Sequence, residues 1–422
     1  MTTAQSTSRI AFASFIGTAI EFYDFYIYGM AAALVIGPLF FPHSDAAAQA
    51  LNAFLTFSVA FMARPLGALL FGHYGDRVGR KTTLVASLLV MGISTLLIGL
   101  LPGYATLGWA APALLCLLRF GQGMGLGGEW GGAALLATEN APQGKHGWFG
   151  MFPQLGPPAG FLCATASFLL LSHYLDDAQF RVWGWRIPFL ASALLVMVGL
   201  YVRLALTETP VFTQAAQQRV ALPLANLLRH HLKPMLLGAM AMVVCYALFY
   251  ICTVFSLSYG TTALHIPRQQ FLLMLCVAVV FMAAATPVAA WAGDRYGRRP
   301  VLMLASSATV LSGFLLAPAL SSGSVVLITM FLALELLLMG ATFAPMGALL
   351  PELFPTPVRY SGAGAAYNLG GILGASFAPY IAQRLVAQGG LSWVGGYISV
   401  AAVISLLAVM LMRETHHDSL MA

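Results

Sequence analysis

The sequence predicts an all-α integral membrane protein of twelve transmembrane helices, arranged as two six-helix bundles related by a parallel pseudo-two-fold repeat. Three observations carry that expectation. Of 422 residues, 59% are hydrophobic and 8% charged, roughly a third of the charge a soluble domain carries, so lipid must be much of the solvent. Apolar runs of about 20 residues, the length a helix needs to cross a bilayer, recur along the chain. One seven-residue polar pattern occurs twice, once in each half.

Composition excludes a soluble enzyme and a disordered scaffold. The 20 Lys+Arg exceed the 14 Asp+Glu without forming the clustered basic face of a nucleic-acid binder. Cys116, Cys163, Cys245, Cys252 and Cys276 fall inside apolar runs and read as free thiols. The first apolar run carries Glu21 and Asp24, so it reads as a retained span and not a signal peptide.

The first six spans are placed near 10–37, 51–74, 82–101, 107–138, 147–172 and 186–206. The second six are placed near 234–258, 269–292, 300–319, 324–349, 361–386 and 393–412. They read as helices because an open strand edge cannot sit in lipid. With both termini cytoplasmic, 14 Lys/Arg lie inside and 4 outside, the asymmetry expected of a multi-pass plasma (inner) membrane protein. Residues 1–206 and 234–422 form the two bundles, joined by a cytoplasmic loop at 207–233. Within that loop, Leu222 to Lys233 is amphipathic and suits the membrane surface.

Gly75-Asp76-Arg77-Val78-Gly79-Arg80-Lys81 follows the second span, and Gly293-Asp294-Arg295-Tyr296-Gly297-Arg298-Arg299 follows the eighth, 218 residues later. Two copies in register imply a duplicated bundle, with the binding site near the midplane between the halves. The Asp suits a helix N-terminus. The Arg residues can pair with carboxylates at neighbouring helix ends, for which Glu139 and Glu352 are candidates, with Arg359 nearby. Such pairs would hold a cytoplasmic gate shut.

Ionisable residues in spans are costly and functional by default. Glu21, Asp24 and Tyr28 share one face of span 1. Arg64 sits in span 2, while Arg119, Gln122 and Glu129 sit in span 4. Static ion pairing, with Arg64 as one partner, is the bland reading. Three acids against two bases leave one carboxyl unpaired, and such a group tends to hold a proton. Asp24, Glu129, Glu21 and Glu335 are therefore the candidates for proton coupling. Glu335, in span 10, suits a second proton site, a partner for a polar group on span 7, or a protonated acid tolerated in packing. Arg119, Gln122, Tyr28, Tyr250, Tyr367 and Asn368 are the candidate substrate contacts. Tyr246, Tyr250 and Thr253 form one stripe on span 7.

Gly123-Met124-Gly125-Leu126-Gly127-Gly128 fits a dinucleotide fingerprint but lacks the strand and βαβ unit it needs, so close helix packing explains it better. No Walker loop, metal cluster or nucleophile–base set is evident, so no catalytic residue, metal or cofactor is expected.

The loop at 72–81 resembles the signature loop of the major facilitator superfamily. Glu21-Phe22-Tyr23-Asp24-Phe25, Arg119-Phe120-Gly121-Gln122-Gly123, Gly184-Trp185-Arg186-Ile187-Pro188-Phe189, Glu208-Thr209-Pro210-Val211-Phe212 and Glu352-Leu353-Phe354-Pro355 resemble its metabolite:proton symporter branch, most nearly the shikimate- and dicarboxylate-type members. The resemblance implies proton-coupled import of a small carboxylated metabolite by a monomer in the lipid bilayer. The alternative is a zwitterion such as betaine or proline, whose cation Phe22, Tyr23, Phe25 and Tyr26 could accept. Ending at Ala422, the chain lacks the long C-terminal extension of osmolyte-transporting members, which weighs against osmosensing.

Overall fold

A computed structural model describes residues 7–78, 80–205, 223–355 and 358–416, with side chains described except at 7–10, 72–84, 136, 202–205 and 223–226. The described residues are helical and contain no strand. Helices occupy all twelve predicted positions, and among the described residues nine are long and apolar enough to span a membrane outright.

In the first half these are α1 (Thr7–Ala31), α2 (Ala46–Val78), α3 (Arg80–Leu100), α4a (Ala110–Gly127) with α4b (Trp130–Glu139), α5 (His146–Tyr174) and α6 (Ile187–Ala205). The second half holds α7 (Leu232–Tyr250), α8 (Arg268–Tyr296), α9 (Arg298–Ser312), α10 (Val325–Phe343), α11 (Arg359–Gly371) and α12 (Leu391–Leu411). A short helix, Pro223–His230, precedes α7, within the segment read as amphipathic.

The repeat is visible in the backbone. α1 passes through a π-turn at Ala32–Ile36, and α7 through one at Ile251–Phe255, 219 residues later. A π-turn widens a helix and often marks a functional hinge. In α7 the Ser256 hydroxyl donates to the Ile251 carbonyl, 2.9 Å, satisfying a group at that turn. α11 has a third π-turn, Ile372–Ser376.

α1, α4b and α6 pack with α5 in one bundle, while α7 packs with α11 and α12 in the other. The bundles meet where α5 lies along α8 and where α2 meets α11. Glycines allow the tightest approaches. A Cβ on Gly123 would strike the Ala60 carbonyl, one on Gly127 the Arg64 carbonyl, and one on Gly67 the Met124 backbone. The glycine-rich stretch in α4a is thus the surface on which α2 rests, main chain against main chain.

That contact predicts a contrast. Gly123→Ala overpacks it and should cost about 1–3 kcal/mol, lowering the melting temperature of purified protein by several degrees. Gly396→Ala, in α12 with open space around its Cα, should leave it unchanged or raise it. Equal melting temperatures for the two variants would show that the α2–α4a contact is not tight.

Candidate functional site

A nearly closed cavity lies between the bundles, lined by Phe22, Tyr26, Pro157, Tyr246, Phe249, Tyr250, Met339, Phe343 and Tyr367. Its free space suits about one water molecule. Rings from both halves meet around it: Tyr26 lies 4.9 Å from Phe249, Phe57 5.2 Å from Tyr250, and Phe61 5.4 Å from Tyr250. Beside it, Trp130 stacks on Tyr367 with centroids 3.9 Å apart and planes 3° from parallel. Trp130 Nε1 donates to Gln154 Oε1, 3.0 Å, and Gln154 Nε2 donates to the Phe343 carbonyl, 2.8 Å, tying α4b, α5 and α10 together.

Arg64 lies behind the cavity wall, next to the lining ring of Tyr367. It is fully buried on α2, with its guanidinium 4.7 Å from the Phe61 ring centre, 5.1 Å from Phe25 and 5.8 Å from Tyr367. Its Nε and Nη1, and the hydroxyls of Tyr246 and Tyr367, have no hydrogen-bond partner among the described residues. The sequence reading made Arg64 half of a buried ion pair. The structure corrects this: no described carboxylate lies within ion-pair distance of it, and aromatic faces surround it instead.

Arg119 sits on the other side of Phe25, 5.1 Å from that ring and 3.8 Å from the Tyr28 ring. Its Nη1 donates to Gln122 Oε1 at 2.5 Å and its Nη2 to the Phe57 carbonyl at 3.2 Å. Gln122 Nε2 then donates to Thr95 Oγ1, 2.7 Å. Tyr28 shares a 2.6 Å hydrogen bond with Thr56. Tyr28, Arg119 and Gln122, expected to contact substrate, are therefore largely engaged with one another.

Asp24 is fully buried, and neither oxygen makes a hydrogen bond to a described residue. It lies beside the hydroxyls of Thr95 and Ser192. Thr95 donates to the Met91 carbonyl, 2.9 Å, and accepts from Gln122. It has only a lone pair left for Asp24, which suits a carboxyl carrying its proton. Asp24 and Arg119 thus communicate through Thr95 and Gln122, without a direct ion pair. Glu129 stands at the break between α4a and α4b, where its side chain makes no capping bond, and accepts from Ser87 Oγ, 2.5 Å. Glu21 is buried within electrostatic reach of Tyr367.

One face is closed by a layered network. Asp294 accepts from the backbone N–H of Gly147 and Trp148, both 2.8 Å, so an acid of the second bundle caps α5 of the first, as the helix dipole favours. Arg298 donates to Asp294 at 2.7 Å and bidentately to Glu352 at 3.0 and 3.3 Å. Arg359 approaches Glu139 at 3.8 Å. Arg295, also expected at the gate, is exposed and lies over Trp291 and Tyr296. Asn368, expected at the substrate, instead donates to the carbonyls of Gly127 and Gly364, at 3.2 and 2.9 Å. It becomes a tie between α11 and α4a. The side chains of Asp76, Arg77, Arg80 and Lys81 lie outside the described residues.

Within the second bundle, α9 and α12 cap each other. Glu414 accepts from the N–H groups of Arg298 and Arg299, both 2.9 Å, and Arg299 donates to the carbonyls of Val409 and Met410 at 3.1 and 2.8 Å. Burial alone would raise the Glu414 pKa, but four backbone N–H groups outweigh it and hold the carboxyl below its usual range. On the opposite face Arg268 bridges to Ser172 and Asp177 at 2.7 and 2.8 Å and lies over Phe180 at 3.8 Å.

A two-bundle membrane protein with a polar-lipped cavity at the bundle seam and a closable network on each face is built as a secondary transporter. The chain belongs to the major facilitator superfamily: residues 10–222 match the Sugar (and other) transporter model and 237–420 the Major Facilitator Superfamily model. It is 54% identical to the inner membrane metabolite transport protein YhjE of Escherichia coli, over 99% of this chain and 97% of that one. It is 39% identical to the E. coli shikimate transporter (96% and 94% covered) and 33% to the E. coli proline/betaine transporter (96% and 83% covered). A partially occluded, inward-open structure of the xylose transporter XylE from E. coli shares the fold, with a TM-score of 0.77 at 16% identity over 99% of this chain and 100% of that one.

Sequence reasoning did not join Tyr246 and Trp130 to one site with Tyr26, which it offered only within a cation-accepting ring set, and it placed Arg64 in an ion pair that no described carboxylate completes. Tyr246 was visible in the α7 stripe. Trp130 carried no signal, because the break at 128–129 rotates it relative to α4a.

Two expectations follow. Asp294→Ala removes the cap on α5 and one partner of Arg298. Transport should fall about tenfold or more, matching ~1.4 kcal/mol or more of lost gate stability, while substrate affinity changes less than twofold. An equal loss of both would place Asp294 in the binding site. Because Glu414 is held below its usual range, its contribution to stability is present above the unfolded pKa and disappears as pH falls through the folded one. Glu414→Gln should therefore lower the melting temperature at neutral pH and match the parent protein in acid, below the carboxylate range. A constant difference across pH would contradict that.

Proposed function

We propose that this chain is a proton-coupled symporter that imports a small carboxylated metabolite by alternating access. The observation that carries this reading is the excess of unpaired donors at the cavity: Arg64 Nε and Nη1 with the hydroxyls of Tyr246 and Tyr367. Buried donors without acceptors are costly, and a carboxylate supplies what this set lacks. Arg64 offers it a planar fork, and the rings supply the apolar walls common to small-molecule sites. The sequence expectation favoured Arg119 as the substrate's partner. Because Arg119 is already engaged by Gln122 and Phe57, Arg64 is the better candidate.

Coupling follows from charge. Arg64 and Arg119 place two cations in the membrane interior. In the loaded carrier the substrate anion offsets one of them, and Asp24 carries its proton. In the empty carrier Asp24, having lost that proton, offsets one instead. The two states that cross have the same net charge, while either half-loaded state differs from it by one. Residues 1–206 and 234–422 rock about the cavity. The face holding Asp294, Arg298 and Glu352 is the cytoplasmic one, in keeping with its basic loops, and the protein resides as a monomer in the inner membrane.

The second reading, a zwitterion such as betaine or proline, is favoured by the ring cluster of Tyr26, Phe249 and Tyr250, which could take a substituted ammonium. Its carboxylate would use Arg64 in the same way. A thermal-shift panel of shikimate, succinate and glycine betaine separates the readings, since a ligand that favours the folded state raises its melting temperature.

The coupling claim is tested in liposomes with a transported member of that panel. Asp24→Asn should retain counterflow and lose pH-driven accumulation. Arg64→Lys should raise KM at least tenfold, and Arg119→Lys should do so less. If Asp24→Asn still accumulates substrate uphill, Asp24 is not the obligatory proton carrier. If Arg119→Lys has the larger KM effect, the carboxylate site belongs there.

A further inference from the structure

The second bundle holds a buried acid that the cycle above does not use. Glu335 on α10 is fully buried, and neither of its oxygens makes a hydrogen bond to a described residue. Its polar neighbours are the Ser312 hydroxyl, at the end of α9, and the Cys252 thiol, in the π-turn of α7. Among the described residues no charged side chain of α7, α8 or α9 faces it, and Cys252 is its one titratable neighbour.

This surrounding resembles that of Asp24 in part. Asp24 on α1 has Thr95 of α3 and Ser192 of α6 beside it, and Glu335 on α10 has Ser312 of α9 and Cys252 of α7. α3 and α9 are repeat mates, and one hydroxyl beside each acid is at nearly the same repeat position: Ser312 follows Thr95 by 217 residues, against 218 between the paired loops. Each of these two hydroxyls donates to a carbonyl of its own helix, Thr95 to Met91 at 2.9 Å and Ser312 to Thr309 at 3.2 Å. Each therefore offers its acid a lone pair, which suits the protonated form. The pockets differ in that Asp24 also has Ser192 beside it, and in that Thr95 is linked through Gln122 to Arg119, whereas no described cation stands near Glu335.

Glu335 also lies beside the π-turn of α7. Cys252 is inside the π-turn, and Tyr250, at its start, lines the cavity. A change in α7 at that hinge would alter both the cavity wall and the cover over Glu335.

We propose that Glu335 is a second proton-binding site, loaded and emptied in each cycle as α7 flexes at Ile251–Phe255, so that two protons accompany each substrate molecule. The proposal rests on the symport reading above. It differs from a permanently protonated packing acid in moving one further charge per substrate.

The test is the proton-to-substrate ratio in proteoliposomes, taken from the substrate gradient at which net flux stops as the pH gradient is varied. The probe is shikimate, with succinate or glycine betaine if shikimate is not carried. Each coupled proton changes the balancing gradient about tenfold per pH unit. The parent protein should show a ratio of two and Glu335→Gln a ratio of one, with uphill transport retained. A parent ratio of one, or an unchanged ratio in Glu335→Gln, overturns the proposal and leaves the symport reading standing. A ratio of zero in the parent overturns that reading as well. Infrared difference spectra between acid and alkaline proteoliposomes need no substrate. They should lose one protonated-carboxyl component in Glu335→Gln, or show it shifted in Glu335→Asp if the first variant does not fold. Spectra unchanged in both variants would also overturn the proposal.

Discussion

The high cost of an unpaired charge or hydrogen-bonding group away from water governs this structure. In a soluble protein, Arg64, Asp24 and Glu335 would each find a partner or remain at the surface. Here all three are buried without an ion-pair partner among the described residues, and two are acids that can be neutralised by a proton. The third cannot shed its charge, and it is the one at the cavity. In the proposed cycle, an anionic oxygen of the cargo meets Arg64, and Asp24 takes up a proton as that cargo arrives.

The interactions that move and those that stay are built differently. α9 and α12 cap each other through Glu414 and Arg299 inside one bundle, with several main-chain bonds in each direction. That junction has no reason to open and holds the bundle rigid. Across the seam α5 lies along α8, and the hydrogen bonds are made by single side chains, among them Asp294 on the first turn of α5, Asn368 and Tyr360 on the carbonyls at the end of α4a, Gln154 on α10 and Ser58 on the Ser376 carbonyl. Each leaves groups that water can satisfy on opening, so the gate costs little to part. The tight glycine contacts of α2 with α4a are likewise kept within one bundle.

The fold was largely legible in the sequence, since its evidence was coarse: apolar runs, a loop repeated at half the chain length, and an asymmetric distribution of Lys and Arg. The helices were placed to within a few residues, apart from the break at 128–129 in α4 and the π-turns, which hydropathy does not register. The site was less legible. Buried charges mark themselves, so Asp24, Arg119 and Glu335 stood out. Which way each faces depends on helix rotation, and periodicity is weak where every face is apolar. Arg64 was therefore placed in an ion pair that no described carboxylate completes, and the bond from Asn368 to a neighbouring helix was not foreseen. Trp130 joined Tyr367 only through packing of α4b against α11.

The account's central claim is that Asp24 takes up a proton as Arg64 takes a carboxylate. It is tested most directly by counting protons absorbed when a panel ligand binds to purified protein, using calorimetry in buffers of different ionisation heat. The account predicts net proton uptake by the parent protein near neutral pH, with one proton fewer in Asp24→Asn at similar affinity. Equal uptake by the two proteins would contradict it.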